Sequence, residues 1–463
     1  MKSNIRESLP AVSPARAAAF DILIRVERES SYASELLHSR SRDYLTIADH
    51  SLATELVMGV LRWKSLLDSE IANVSAQPLA KLDLEVLTAL RLALYQLRWL
   101  DRVPARAAIN ESVELVKRAR KRSAAPFVNA ILRKFGSGRS AAGDIAPPVV
   151  DGDSPATLAA SAAHPRWLVG RWSQNYGLDF ATLICQHNQS VPVTAIRLRI
   201  PQAEQQLHAE GIDLASGSFL ASARRVVRGD ITRTQAFRAG ACVIQDEASQ
   251  LVAALVGRGA NILDCCAAPG GKTLAVADRN FNSTVVAVDL HPHRSRLLRR
   301  LSGARSPSTT GSAHINVIAA DARNLPLVHQ FGRVLADVPC SGTGTLSRNP
   351  EIKWRLSIDD LDELQSRQLA IVRSAMARVA PRGRLIYSTC SLENEENEEV
   401  IERCLAEDSS FRMIDCSTEL ERLRQEGELI RADYSSLTRG PYLRTLPGVH
   451  PCDGFFAAIL EKN

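Results

Sequence analysis

The chain has 463 residues, 45% hydrophobic and 23% charged, which suits a globular protein too long for one core, so two or three domains are expected. Its 57 basic and 51 acidic residues leave a net charge of +6, an excess too small to identify a nucleic-acid or membrane partner by itself. No run of about 18 apolar residues, no leader-like apolar stretch and no CxxC pair among nine cysteines occur, which argues against a membrane span, secretion, a disulfide framework and a metal site. A cytoplasmic protein with reduced thiols and no bound metal is the expectation.

From about residue 10 to 136 the apolar positions recur with helical spacing. Phe20, Leu23 and Ile24 share one face, as do Leu87, Leu90, Leu94 and Leu97, then Phe127, Ile131 and Phe135. An all-helical domain over 10–136 is expected. Within it, Lys117, Arg118, Arg120, Lys121 and Arg122 form the densest basic stretch, the footprint that RNA phosphates require. A solvated helix face would look the same.

Residues 137–158 are small, polar or proline and read as a linker. Between 160 and 239, an amphipathic opening is followed by short strand-like runs (VTAIRLRI, ARRVVRG), which suggests a small α+β connecting subdomain. From 240 to 463, strands alternate with helices: NILDCC, STVVAVDL, INVIAAD, GRVLADVPC and GRLIYSTC are each short apolar runs, and 358–379 is helical. That alternation implies a Rossmann-like, doubly wound parallel sheet with right-handed crossovers. The fold class expected is therefore multidomain, all-α followed by α/β.

The first strand of this last domain runs into AAPGGKT and then a helix. Two glycines between strand and helix let a ligand approach the backbone above the helix N-terminus. Neither GxGxxG nor a Walker A loop is matched, because Cys266 stands where the leading glycine of the latter belongs. Asp289 ends the second strand, where a carboxylate can accept ribose hydroxyls. Asp321 and Asp337 end the third and fourth. A lone Asp at a strand end is often a helix cap, but three in succession fit an adenosyl compound without a pyrophosphate.

Cys340 closes the fourth strand and Cys390 the fifth. In the strand order 3-2-1-4-5 these are neighbours about 5 Å apart, so both thiols should open onto the cofactor cleft. A strand-end cysteine alone is more often a small buried hydrophobe. Paired beside an adenosyl pocket, the two have chemistry to do. Carbon 5 of cytosine is a poor nucleophile until a thiolate adds at carbon 6, and a thiolate also departs readily afterwards. A carboxyl group near ring N3 would help stabilise the adduct, and Asp337 lies in the right segment.

LDCCAAPGGKT, DVPCSGTGTLSRNPEIKW and YSTCSLENEENE resemble the signature segments of RNA 5-methylcytosine methyltransferases of the NOL1/NOP2/Sun family; ACVIQDEASQ and CDGFFAAILEK resemble its flanking segments. The resemblance implies S-adenosylmethionine as cofactor, Cys390 as nucleophile, Cys340 for product release and Asp337 at the base. It carries cofactor contacts to Cys266, Ala267, Ala268, Pro269, Gly270, Gly271 and Lys272, and to Asp289, Asp321 and Asp337. Asn349-Pro350-Glu351 departs from the more common His-Pro-Asp. PARAAAFDILIRVERESSYASELL, RAAINESVELVKRA and PFVNAILRKF resemble a NusB-like RNA-binding domain. Together the two halves are similar to bacterial enzymes that methylate a cytosine of small-subunit ribosomal RNA. With an RNA-binding domain of its own, the chain is expected to act as a monomer. A transfer-RNA target and a non-catalytic antitermination factor are the competing readings.

Overall fold

The structure, a computed structural model, describes residues 12–136, 148–303, 313–431 and 433–463. The first half of the expected linker, 137–147, lies outside the described residues. Contacts divide the chain into two compact units, Met1–Val191 with Leu346–Arg355, and Pro192–Thr345 with Leu356–Asn463.

The first unit is helical. Helices Pro14–Glu29, Ile47–Val74, Leu84–Trp99, Ala105–Arg118 and Ala125–Gly136 enclose one core that includes Phe20, Leu56, Leu67, Leu90 and Val128. Thr46 starts the longest helix by accepting the Asp49 amide at 3.1 Å. Gly59 lets that helix touch its neighbour, because a Cβ there would overlap the Tyr95 ring. Three further helices, Pro155–Ser161, Arg166–Tyr176 and Leu178–Gln189, belong to this unit. The first and third pack on Ile47–Val74, and Leu168, Trp172 and Ile184 are fully buried. That apolar face needs helices to cover it, so the unit boundary falls at 191 where a boundary near 160 was expected.

The same unit holds ten residues from much later in the chain. Trp354 Nε1 donates to the Leu61 carbonyl at 2.6 Å and Lys353 Nζ to that of Arg62 at 2.8 Å. Arg62 Nη2 returns a bond to the Ser347 carbonyl at 3.1 Å, and Glu351 accepts the Ala33 amide at 2.7 Å.

The second unit opens with a four-stranded antiparallel sheet of order β2-β3-β1-β4, from β1 (Ala195–Leu198), β2 (Asp213–Ser216), β3 (Ala223–Arg228) and β4 (Cys242–Ile244). A large sheet follows, from β5 (Asn261–Asp264), β6 (Thr284–Asp289), β7 (His314–Ala319), β8 (Phe331–Asp337), β9 (Val379–Thr389), β10 (Phe411–Ile414), β11 (Thr438–Arg439), β12 (Tyr442–Thr445) and β13 (Phe455–Lys462). Its parallel core runs β7-β6-β5-β8-β9, which is the expected 3-2-1-4-5 order. Beyond β9 the sheet turns antiparallel through β13, β12 and β11, with β10 also on β13. This extension was not expected. Residues 455–460 are buried on both faces, so β13 is an interior strand and carries no alternation to announce it.

Candidate active site

Residues 266–272 follow β5, Asp289 ends β6, Asp321 lies two residues after β7, Asp337 ends β8 with Cys340 three residues on, and Cys390 follows β9, so all of these stand at the carboxyl edge of the parallel strands. Asp264 closes β5 in full burial, where its Oδ2 accepts Thr273 Oγ1 at 2.7 Å and fixes the start of the helix Gly271–Arg279. Burial pushes its carboxyl up to about 7. Gly270, at φ 116°, makes the turn into this helix, and a Cβ there would overlap Leu298. Ala267 donates to the Val288 carbonyl at 2.8 Å and Ala268 to Asp289 Oδ2 at 3.2 Å, so the loop is strapped to β6. The other Asp289 oxygen holds the His291 amide at 2.9 Å.

Beside this loop opens a cavity of about 410 Å³, walled by Cys266, Asp289, Leu290, Asp321, Pro339 and Ile371 among others. The volume lies within the usual range for small-molecule sites. Carboxylates suited to ribose hydroxyls and apolar side chains suited to a purine face one space, and no phosphate cradle is needed. The residues present therefore fit an adenosyl compound. Asp321 lines this wall and is also a cap: it accepts the Arg323 amide at 2.9 Å and pairs with that guanidinium at 2.6 Å, which holds its carboxyl below the ordinary range. Lys272 and Asp337 stand outside this wall and are paired with each other.

Cys340 and Cys390 lie with their sulfurs 3.3 Å apart, both half-buried. The hydrogen bond with Cys390, then burial, raise the Cys340 thiol well above its ordinary value. At this distance one thiol can donate to the other. On the other flank Lys272 Nζ pairs with Asp337 Oδ2 at 2.8 Å, and Ser388 donates to Asp337 Oδ1 at 2.7 Å. Burial alone would discharge Lys272, but the Asp337 carboxylate outweighs it, the Cys390 sulfur adds to that, and the ammonium is held above its ordinary value.

Glu396 is the residue that sequence reasoning missed. It lies within YSTCSLENEENE, from which only Cys390 was singled out, and its side chain is fully buried. Its carboxylate accepts the Ser341 amide at 2.8 Å, Ser341 Oγ and Ser391 Oγ at 2.5 Å each, and Gln368 Nε2 at 2.8 Å. One carboxylate thereby ties together the residues that follow the two cysteines. Gly344 completes the crossing: its amide donates to the Cys390 carbonyl at 2.8 Å, and a Cβ would overlap the Gly454 carbonyl. At the Gly of the closing CDG segment, Gly454, a Cβ would crowd the Leu392 and Pro447 side chains and the Gly344 backbone. The signal that could have found Glu396 is its place six residues after Cys390, within the segment that resembles the family's signature.

The basic stretch of the helical unit is partly neutralised. Lys117 pairs with Glu114 at 2.7 Å, Arg118 with Asp21 at 3.3 Å and Lys121 with Asp83 at 3.0 Å, while Arg120 and Arg122 are exposed. Among the described residues no group of His, Cys, Asp and Glu could hold a metal ion, and no helix is long and apolar enough to cross a membrane.

Two family models match the chain: NusB over residues 13–137, and 16S rRNA methyltransferase RsmB/F over 255–461. A probable ribosomal RNA small subunit methyltransferase B of Bacillus subtilis is 34% identical over 461 residues, covering 97% of this chain and 98% of the relative. The chain belongs to the ribosomal RNA small subunit methyltransferase B family. A Vibrio vulnificus member is 29% identical and covers 97% of the chain and 99% of itself. The expected resemblance, a NusB domain ahead of a methyltransferase domain, is borne out across both halves. Among solved structures, PH0851 superposes with a TM-score of 0.77 at 22% identity over 98% of the chain and 100% of itself. NSun6 from Pyrococcus horikoshii with SFG reaches 0.54 at 18% identity over 64% of the chain and 98% of itself. These two share the fold.

Proposed function

We propose that the protein methylates carbon 5 of a cytosine in small-subunit ribosomal RNA, through a covalent bond between Cys390 and carbon 6 of the base. The observation that carries this reading is the 3.3 Å approach of Cys340 to Cys390 next to a cavity suited to an adenosyl compound. S-adenosylmethionine, when bound, supplies an electrophilic methyl group. Cys266, Asp289 and Asp321 would hold it, with residues 267–271 shaping the loop beneath.

The rest of the chemistry belongs to the chain. Cys390 sulfur, as thiolate, forms a bond to carbon 6, and the displaced electron pair makes carbon 5 nucleophilic. The Lys272–Asp337 pair is assigned to the N3 side of the ring, where negative charge would collect against fixed partners and not against water. After carbon 5 has taken the methyl group and lost its proton, the carbon 6–sulfur bond breaks and its electrons return to Cys390. Cys340, at contact distance, assists that release. The family names of the relatives support small-subunit ribosomal RNA over transfer RNA.

RNA carrying 5-fluorocytosine tests the scheme, since fluorine cannot leave carbon 5 as a proton does and the adduct persists through denaturation. Cys390→Ala is expected to abolish trapping, and Cys340→Ala to accumulate adduct on ordinary RNA. Trapping that survives in Cys390→Ala overturns the assignment. Bisulfite sequencing of ribosomal and transfer RNA from a deletion strain identifies the substrate.

A further inference from the structure

Near the amino end of β5, away from the cysteines, the second unit has another cavity, of about 300 Å³, between β1 of the small sheet, the helices Glu247–Leu255 and Gly271–Arg279, and residues 427–428. Arg197, Arg199, Arg258 and Arg279 line it against Asp278 and Glu428. Asp278 serves Arg197 at 2.9 Å and Arg199 at 2.8 Å. Glu428 serves Arg258 at 3.5 Å and Arg279. Four guanidinium groups against two carboxylates leave the wall with two excess positive charges.

Two polar groups here lack what burial normally demands. Arg279 has a side chain 17% exposed, yet its Nε and Nη2 are buried with no hydrogen-bond partner among the described residues. Burial, then the Arg258 and Arg422 charges, pull this guanidinium down to about 10. Gln250 is 3% exposed, with Nε2 on the Gln245 carbonyl at 2.9 Å and its Oε1 buried without a partner among the described residues. An unmet buried donor or acceptor is costly, so a site with both kinds favours a ligand that supplies both. At the rim, Phe281 exposes 59% of its surface.

Excess charge with unmet N–H donors calls for an anion, the unmet acceptor for a hydroxyl, and the open ring for a flat partner. We propose that this cavity binds one nucleotide of single-stranded RNA, with its phosphate on Arg258 and Arg279, its ribose 2′-hydroxyl on Gln250 Oε1 and its base on Phe281. The proposal rests on the reading of RNA as substrate and gives that RNA a second anchorage, at the opposite sheet edge from the chemistry. Arg258 and Phe281 are both exposed, which leaves room for the strand to continue.

Fluorescence anisotropy on the full chain tests this, with a labelled RNA of about 12 nucleotides and its DNA counterpart, over a range of salt. Arg258→Gln and Phe281→Ala are surface changes, and unchanged thermal unfolding confirms that each variant is folded. Arg258→Gln is expected to bind RNA about tenfold more weakly, with a log–log salt slope smaller by about 1. Phe281→Ala should lose roughly fivefold or more with the slope unchanged, and the wild type should prefer RNA to DNA. A parallel arm follows unfolding with inorganic phosphate alone. If phosphate stabilises the wild type but not Arg258→Gln while RNA affinity stays the same in both, the cavity takes a free anion and the RNA assignment is overturned. Should the wild type bind and methylate RNA while both variants bind it equally well, the pocket assignment alone falls. A wild type that binds no RNA overturns the substrate reading and the pocket with it.

Discussion

Lys272 Nζ and Asp337 Oδ2 form a 2.8 Å ion pair in which the lysine side chain is only 14% exposed. The pair joins the helix after the cofactor loop to the end of β8, and Ser388 on β9 holds the remaining carboxylate oxygen. Lys272 also lies over the Phe455 ring at 4.7 Å. This explains a lysine that a cationic cofactor does not obviously need: its partner is a carboxylate, and its neighbour is the Cys390 sulfur.

Because the two groups act as one unit, their removal should not be additive. Lys272→Met and Asp337→Asn are each expected to slow methyl transfer by about 10²-fold or more, the scale of losing one preorganised charge. The double variant should be no slower than the worse single variant. Single-turnover rates on one RNA substrate provide the comparison, and a product of the two single effects would show that the residues work separately.

Glu396 accepts three hydrogen bonds from Ser341 and Ser391, which follow the two cysteines, and a fourth from Gln368. Glu396→Gln turns one acceptor oxygen into a donor that faces donors, so stability should fall by about 1–3 kcal/mol. Methyl transfer should drop far more than affinity for S-adenosylhomocysteine, since Glu396 is not part of the cofactor wall. Chemical denaturation and calorimetric titration separate the two effects. Equal losses of cofactor binding and of rate would contradict a role confined to the cysteine loops.

How legible these features were depended on where their partners sit. The five parallel strands could be read because each apolar run ends in a polar turn, and crossover handedness leaves few orders for them. β13 could not, since a continuous apolar run such as FFAAILEK reads alike as buried strand or helix. NPEIKW was legible only as the tail of the segment that carries Cys340. Its Lys353 and Trp354 in fact bond to carbonyls of residues 62 and 61, a pairing that no local pattern announces. Glu396 was hidden for the same reason, because its partners Ser341 and Gln368 come from other segments. Asp321 shows the opposite case: the modest reading as a cap and the reading as a cavity residue hold together.

Asp264 makes stability depend on pH in an unusual direction. Its folded carboxyl titrates at about 7, raised by burial from 3.8. The folded state therefore holds this proton more tightly than the unfolded chain does. Its contribution is fully present below the unfolded value near 4 and is lost as pH rises to about 7, by at most about 4 kcal/mol. Asp264→Asn stays neutral and keeps an acceptor for Thr273 Oγ1. It should match the wild type below about pH 4 and exceed it at pH 8, as read by urea unfolding across that range. A stability difference that does not change with pH would rule out a buried, titrating Asp264.

Lys353 gives the helical unit a complementary signature. Its amine is 1% exposed and is pushed well below its ordinary range, chiefly by burial. Between that depressed value and about 10.4 the unfolded chain binds the proton that the folded unit refuses, so stability rises with pH through this window. Lys353→Met removes the titration and leaves the Arg62 carbonyl with the Gln189 Nε2 donor at 3.0 Å. The variant should be the more stable protein at pH 7, with the gap closing toward pH 10. The full chain has two units and need not unfold in one step. Hydrogen–deuterium exchange in the helix Ile47–Val74 is therefore the suitable measurement, with its exchange rates corrected for pH. Slower exchange in Lys353→Met at pH 7 that converges on the wild type near pH 10 is the expected result, and faster exchange at pH 7 would mean that Lys353 is held charged by partners strong enough to offset its burial.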